Sequence, residues 1–186
     1  LKSRCIHFIV ADNRIIPKYK KLLLMDRLEE SVLYPEQDIA ADLIARSEMG
    51  VCEMPTGIGK TRTIKEALIR AKKPTLIITP SANLRTQTYD YLVDSFGSDD
   101  VGLLKTSHDK PIIVTNYHSL SSRDANFYKQ FPQLIFDEFH NAGAEGVRDD
   151  FEKHLFEIYY RFGLTATNFK NNESSNIYLE SILSDT

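Results

Sequence analysis

The chain has 186 residues, 42% hydrophobic and 26% charged, the composition of one water-soluble globular domain with room for a small appendage. No stretch approaches the roughly 18 to 20 continuous apolar residues of a membrane span, and the first 30 residues carry no signal-peptide pattern, so no membrane partner is expected. The formal net charge of −3 argues against a chain that is wholly a polyanion-binding surface, while leaving room for a local basic path.

Residues 1–33 read as an appendage with seven Lys/Arg against four Asp/Glu. A short strand around Cys5, Ile6, Phe8, Ile9 and Val10 precedes a basic helix from about Pro17 to Ser31, packed beside the main domain. The basic cluster reads first as a solvated helix face and second as a nucleic-acid contact. Cys5 and Cys52 have no zinc spacing and make no disulfide framework, which fits a reducing compartment: the cytoplasm, or the nucleus in a eukaryote. The chain begins at Leu1 rather than at a methionine, as a fragment or processed product would.

The main domain is expected over 34–186. Gly50 to Met54 is a short buried strand. Lys60 to Lys73 reads as a helix, with Ile64, Ala67, Leu68 and Ala71 at helical spacing and Pro74 beyond its end. Thr75 to Thr79 is β-branched and apolar, a buried strand. Leu84, Thr88, Tyr91, Leu92 and Phe96 mark the next helix, which Gly97 ends. Ile112 to Thr115 and Gln133 to Phe136 are further strands. Phe151, Leu155 and Ile158 repeat at helical spacing, Phe162 to Thr165 is a last strand, and the tail from Asn176 to Leu183 is helical. Residues 121–131 and 168–175 read as polar surface loops. Alternating strands and helices with continuously apolar strands predict an α/β fold, a parallel sheet with helices on both faces. Ligands in such sheets bind at the carboxyl ends of the strands, so the loops after Met54, Thr79, Thr115, Phe136 and Thr165 are the informative ones.

Pro55, Thr56, Gly57, Ile58, Gly59, Lys60 and Thr61 follow a strand and open a helix, the setting a phosphate-binding loop requires. The glycines let the backbone wrap closely and point N–H groups inward, and the helix N-terminus adds partial positive charge. Lys60 can reach the β- and γ-phosphates of a nucleotide, and Thr61 can place its hydroxyl on Mg²⁺. Met54 stands where the strict motif has its first glycine. Read alone, the segment could also be a Gly-rich turn before a helix that begins with lysine.

Leu134, Ile135 and Phe136 run straight into Asp137, Glu138, Phe139 and His140. An apolar strand that ends in two acids is costly unless the acids are paired or bind metal. Asp137 is the candidate Mg²⁺ ligand opposite Thr61, and Glu138 the group that orients and deprotonates an attacking water. By itself an Asp-Glu pair after a strand could equally be a solvated loop.

With these residues in place, the chain resembles the first RecA-like domain of a superfamily 2 helicase or translocase of the DExH type, a P-loop nucleotide hydrolase. The resemblance covers about residues 34–167 through six motifs in order. Tyr34-Pro35-Glu36-Gln37 resembles the segment whose glutamine reads adenine, and Pro55 to Thr61 resembles motif I. Thr79-Pro80-Ser81, with Leu84 and Gln87, resembles motif Ia. Thr115 to Leu120 resembles motif Ib, Asp137-Glu138-Phe139-His140 motif II, and Leu164-Thr165-Ala166-Thr167 motif III.

The resemblance implies ATP and Mg²⁺ as the ligands. It implies Gln37 on the adenine edge, favouring ATP over GTP. It puts Thr79, Ser81, Arg85, Thr115 and Tyr117 along a nucleic-acid backbone, contacts that would position without reading sequence. It makes Thr165 and Thr167 the coupling residues that link the γ-phosphate state, through His140, to the nucleic-acid side. Each also has a plainer reading: Gln37 as a helix N-terminal residue, Arg85 as a solvated helix residue, His140 as a loop histidine, the two threonines as ordinary strand-end hydroxyls. Phe139 departs from the alanine of the best-known subgroups, and no strong aromatic platform precedes the adenine segment. Both departures favour DNA over RNA as the partner.

Motors of this kind carry a second RecA-like domain whose arginines reach across the cleft. None is recognisable in these 186 residues, so one in cis or trans is an expected partner, and the isolated chain is expected to bind nucleotide weakly and turn it over slowly. A P-loop switch or regulatory module that recognises no nucleic acid remains the alternative. The Asn-Lys-x-Asp motif that a GTPase would want does not occur. A vestigial scaffold is the third reading, disfavoured by intact Lys60, Thr61, Asp137 and Glu138.

Overall fold

A computed structural model describes residues 32–107, 109–120, 123–139 and 157–166, together with Lys18, Leu22 and His154. Apart from Lys18 and Leu22, neither of them helical, the expected appendage strand and basic helix lie outside the described residues, as do Phe151, Leu155, the tail helix, the 168–175 loop, His140 and Thr167.

Among the described residues six strands form one parallel sheet: β1 (Met49–Glu53), β2 (Thr75–Thr79), β3 (Val101–Leu103), β4 (Ile112–Asn116), β5 (Gln133–Asp137) and β6 (Tyr160–Thr165), in the order β1-β6-β5-β2-β4-β3. Every pairing is parallel, as the continuous apolar runs predict. The α-helices among the described residues are α1 (Pro35–Arg46), α2 (Lys60–Ala71), α3 (Ala82–Phe96) and the short α4 (Ala125–Tyr128). This is the RecA-like α/β architecture expected from the sequence.

Strand alternation divides the core in two. Ile77 of β2 faces a cluster with Ile44, Ile64, Leu68, Leu92 and Phe162, which α1, α2 and α3 cover. Its neighbours Leu76 and Ile78 face Tyr117, Phe127, Tyr128, Leu134, Phe136 and Phe139 on the other side. A polar lattice at the amino ends of the strands holds α1. The Lys73 ammonium donates to the Ala45 carbonyl at 2.7 Å and lies 4.0 Å over the Tyr160 ring. Gln133 Nε2 donates to the Ile44 carbonyl at 3.0 Å. The last carbonyls of α1 thus receive buried donors, which a helix end taken out of water requires.

Three differences from expectation have local causes. Helix α1 is not announced by strong periodicity, since alanines provide much of its buried face. Residues 123–131 are not a polar surface loop. Asp124 caps the Phe127 N–H at 3.1 Å and starts α4, and Phe127, Tyr128 and Phe131 are buried as an aromatic cluster. Ile158, read as the last turn of a helix, lies instead in the non-helical lead into β6 and is fully buried. Cys52 is buried on β1, and burial pushes its thiol up to about 12, which leaves it unreactive.

Candidate nucleotide site

β1 delivers the chain to the phosphate loop. The Met54 N–H donates to the Thr165 carbonyl at 2.7 Å, so the loop begins as an extension of the β1–β6 pairing. The Met54 side chain is buried in the core, which explains why the first-glycine position tolerates it: the side chain leaves downward, away from the loop. The turn then passes through Gly57 at φ 80° and Gly59 at φ 87°, both in the left-handed region that other residues avoid. Gly59 caps α2, and its carbonyl accepts from the N–H groups of Arg62 and Thr63 at 3.0 and 3.1 Å. Lys60 and Thr61, both half-buried, therefore occupy the first turn of a helix aimed at the loop.

Gln37 grips this loop from the side. Its Nε2 donates to the Ile58 carbonyl at 2.5 Å, and its Oε1 accepts from the Tyr34 N–H at 3.0 Å. The side chain is 2% exposed. A Cβ at position 59 would sit 2.7 Å from Gln37 Nε2 and displace that amide, while the backbone angle is what calls for glycine there. In this structure both ends of the Gln37 amide are engaged within the chain, where the sequence reading gave it the adenine edge. Arg70 keeps α1 in place beside the loop: its guanidinium meets the Asp38 carboxylate at 2.6 Å and the buried Glu66 at 3.5 Å. Arg70 was not singled out from the sequence, although its i, i+4 spacing to Glu66 was a visible signal.

β5 delivers the acids. Asp137 is its last residue and is 5% exposed. Burial raises its carboxyl above the usual range; the Lys60 ammonium pulls it down, the Glu138 charge pushes it up again, and a hydrogen bond from the Glu138 N–H lowers it. A carboxylate held in this way is poorly satisfied as an anion by the protein alone and is suited to a cation. Glu138 follows at φ 56°, and its Oε1 accepts an ion-paired hydrogen bond from Lys60 Nζ. β6 lies between β1 and β5, so their ends are two strand spacings apart, roughly 9.5 Å. The Lys60 and Glu138 side chains together bridge that gap. The phosphate loop and the acidic pair thus face one another over the end of β6, where Thr165 is buried.

Among the described residues no three His, Cys, Asp or Glu side chains cluster as a metal cage. Mg²⁺ seldom uses one. It keeps waters and phosphate oxygens and takes one or two protein ligands, and the Thr61 hydroxyl and the Asp137 carboxylate are the oxygen donors of the expected kind on these two loops.

The residues that the resemblance put along nucleic acid divide sharply. Thr79 is fully buried, and its hydroxyl donates to the carbonyls of Ser81 and Thr115 at 3.2 and 3.1 Å. Thr115 is 1% exposed, and Tyr117 is buried with its ring stacked 6.3 Å from that of Phe136. These three side chains brace the strand ends rather than face solvent, because each sits where the sheet is still covered. The exposed groups on the same loops are Ser81, whose Oγ caps α3 through the Leu84 N–H at 3.3 Å, Asn83 and His118, with Arg85 and Asn116 half-buried. A β-branched hydroxyl at a strand end has the same pattern whether it points in or out, so the sequence could not separate them.

Residues 14–170 match the family model described as type III restriction enzyme, res subunit. The chain belongs to that family. Among the relatives of this res-subunit domain is the DNA 3'-5' translocase XPB2 of Sulfurisphaera tokodaii, 30% identical over 172 residues, which are 91% of this chain and 38% of that protein. The SWI2/SNF2 ATPase core of Sulfolobus solfataricus in complex with dsDNA superposes with a TM-score of 0.66 at 21% identity, covering 83% of this chain and 36% of that one. The crystal structure of a hypothetical ATP-dependent RNA helicase from Sulfolobus tokodaii superposes with a TM-score of 0.67 at 16% identity, over 82% of this chain and 50% of that one. These likenesses bear out the RecA-like α/β fold of the res-subunit domain. The chain spans well under half the length of the curated relative.

Proposed function

We propose that this res-subunit domain is the ATP-binding half of an ATP-dependent DNA helicase or translocase. The observation that carries the reading is the Lys60–Glu138 ion pair, formed across β6 with Asp137 beside it. Lys60 would bind the β- and γ-phosphates, Pro55 to Gly59 would wrap them with backbone N–H groups, and Thr61 and Asp137 would hold Mg²⁺. Bound Mg²⁺ neutralises charge on the phosphate oxygens. The nucleotide's phosphates would replace Glu138 as the counter-charge of Lys60. That exchange would leave the Glu138 carboxylate to orient and deprotonate the attacking water.

Movement would follow from the same contacts. Thr165, joined to the phosphate loop through the Met54 N–H, would sense the γ-phosphate, and His140 and Thr167 would relay its state. Ser81 and Arg85 would meet the nucleic-acid backbone. A second RecA-like domain, in cis or in trans, would close the cleft and supply arginine to the transition state. DNA is the favoured track: Phe139 in motif II is unlike the RNA-type subgroups, and the curated relative and one structural neighbour carry DNA in their names.

The test is ATP hydrolysis by the full-length protein with and without single-stranded DNA, double-stranded DNA and RNA. Stimulation by DNA above that by RNA is expected. Turnover indifferent to all three nucleic acids would instead establish the P-loop switch or regulatory module.

Gln37→Ala separates two roles for that side chain. If it reads adenine, ATP affinity falls while GTP affinity stays. If it acts through Ile58, as the hydrogen bond at 2.5 Å indicates, both fall together, by about tenfold for one buried amide hydrogen bond on the loop. Competition binding with the two nucleotides decides between them.

A further inference from the structure

The acidic pair is aimed by a contact that none of the motif roles uses. We infer that Phe139, seated on Gly163, is the positioning residue that holds Glu138 toward the phosphate loop, and that Gly163 is a glycine for this reason. The inference rests on the reading of Glu138 as the general base.

β5 and β6 are parallel neighbours, with Phe136 opposite Gly163 and Asp137 opposite Leu164. After Asp137 the chain leaves the sheet through Glu138, whose φ of 56° lies in the left-handed region. That conformation is unfavourable for a residue with a Cβ, and it persists only where the surroundings impose it. The next residue imposes it. Phe139 is fully buried, with its ring 5.1 Å from that of Phe136. The chain has turned back, and Phe139 lies over the neighbouring strand.

The seat exists because position 163 has no side chain. A Cβ there would lie 2.5 Å from Phe139 Cγ, 2.7 Å from its Cδ1 and 2.9 Å from its Cβ. The ring atoms could swing away. The Phe139 Cβ could not move without its main chain, one peptide from Glu138. The Glu138 turn is therefore held at both ends, by Asp137 in the sheet and by Phe139 in the core. Two residues along the same strand, the Thr165 carbonyl receives the Met54 N–H that starts the phosphate loop. One strand thus sets the positions of Lys60 and Glu138 relative to each other. Gly163 and Phe139 would touch no substrate; their effect would pass through Glu138.

The experiment measures ATP turnover and nucleotide affinity in the full-length protein. Gly163→Ala is expected to lower kcat about 10²-fold, the scale of an ångström's misplacement of a reacting group, while the affinity for a fluorescent ATP analogue stays at the wild-type value. Combining Gly163→Ala with Phe139→Ala should be no slower than Phe139→Ala alone, since the new methyl group then has nothing to displace. Should Gly163→Ala fail to fold, Phe139→Leu carries the same expectation of lowered kcat at retained affinity. Wild-type kcat in Gly163→Ala or, where that variant does not fold, in Phe139→Leu overturns the inference, as does full additivity of the pair. So does parallel loss of affinity and kcat. Glu138→Gln in the same assay distinguishes the failures: if it turns over normally, the reading of the base is wrong, and if it is inactive beside a normal Gly163→Ala, only the positioning is wrong.

Discussion

Lys60→Ala is expected to abolish measurable nucleotide binding while leaving the fold intact. The ammonium sits in the first turn of α2, half-buried, with Glu138 as its ion-pair partner. In the bound state the phosphates would take the place of Glu138, and truncating one member of a buried charge pair between binding partners typically costs about 2 to 5 kcal/mol, so affinity should fall by about 10²-fold or more. The fold should survive because the core beneath α2 is made by Ile64, Ala67 and Leu68, not by Lys60. Titration calorimetry with an ATP analogue and Mg²⁺ reads the first effect, and a thermal melt the second. Unchanged ATP affinity in a folded variant would refute the phosphate-loop assignment.

The second large effect concerns the group Lys60 holds. Glu138→Gln should retain nucleotide affinity and lose hydrolysis by roughly 10² to 10⁴-fold, the usual contribution of a positioned general base. The amide is nearly isosteric and still accepts a hydrogen bond from Lys60, so the resting contact can persist in weakened form. What it lacks is the basic oxygen for the proton of the attacking water. Single-turnover hydrolysis in the full-length protein separates this from slow product release. Preserved turnover would move the base to another residue.

These two expectations concern residues that spacing along the chain already marks, and the reason is physical. A loop that wraps a phosphate chain needs glycines, a lysine and a hydroxyl at fixed intervals. Two acids that end an apolar strand need a reason to be there. Both patterns are local, so the order of residues carries them. The parallel sheet was legible for the same reason, since strands covered on both faces read as unbroken apolar runs at Thr75 to Thr79 and Gln133 to Phe136.

Other features depend on contacts between segments far apart in the chain. That Thr79, Thr115 and Tyr117 face inward follows from which strand lies beside which, and the order β1-β6-β5-β2-β4-β3 is invisible in a string of residues. The grip of Gln37 on Ile58 joins residues 21 positions apart, and the Lys60–Glu138 pair joins residues 78 apart. The phenylalanine in motif II read as a mark of subgroup, but only its seat on Gly163 gives it a mechanical part. Local spacing thus determined the chemistry available to this domain: a cradle, a cation and two carboxylates. The packing of β6 between β1 and β5 decided that they meet, because only the folded sheet brings the ends of distant strands within the reach of one lysine side chain.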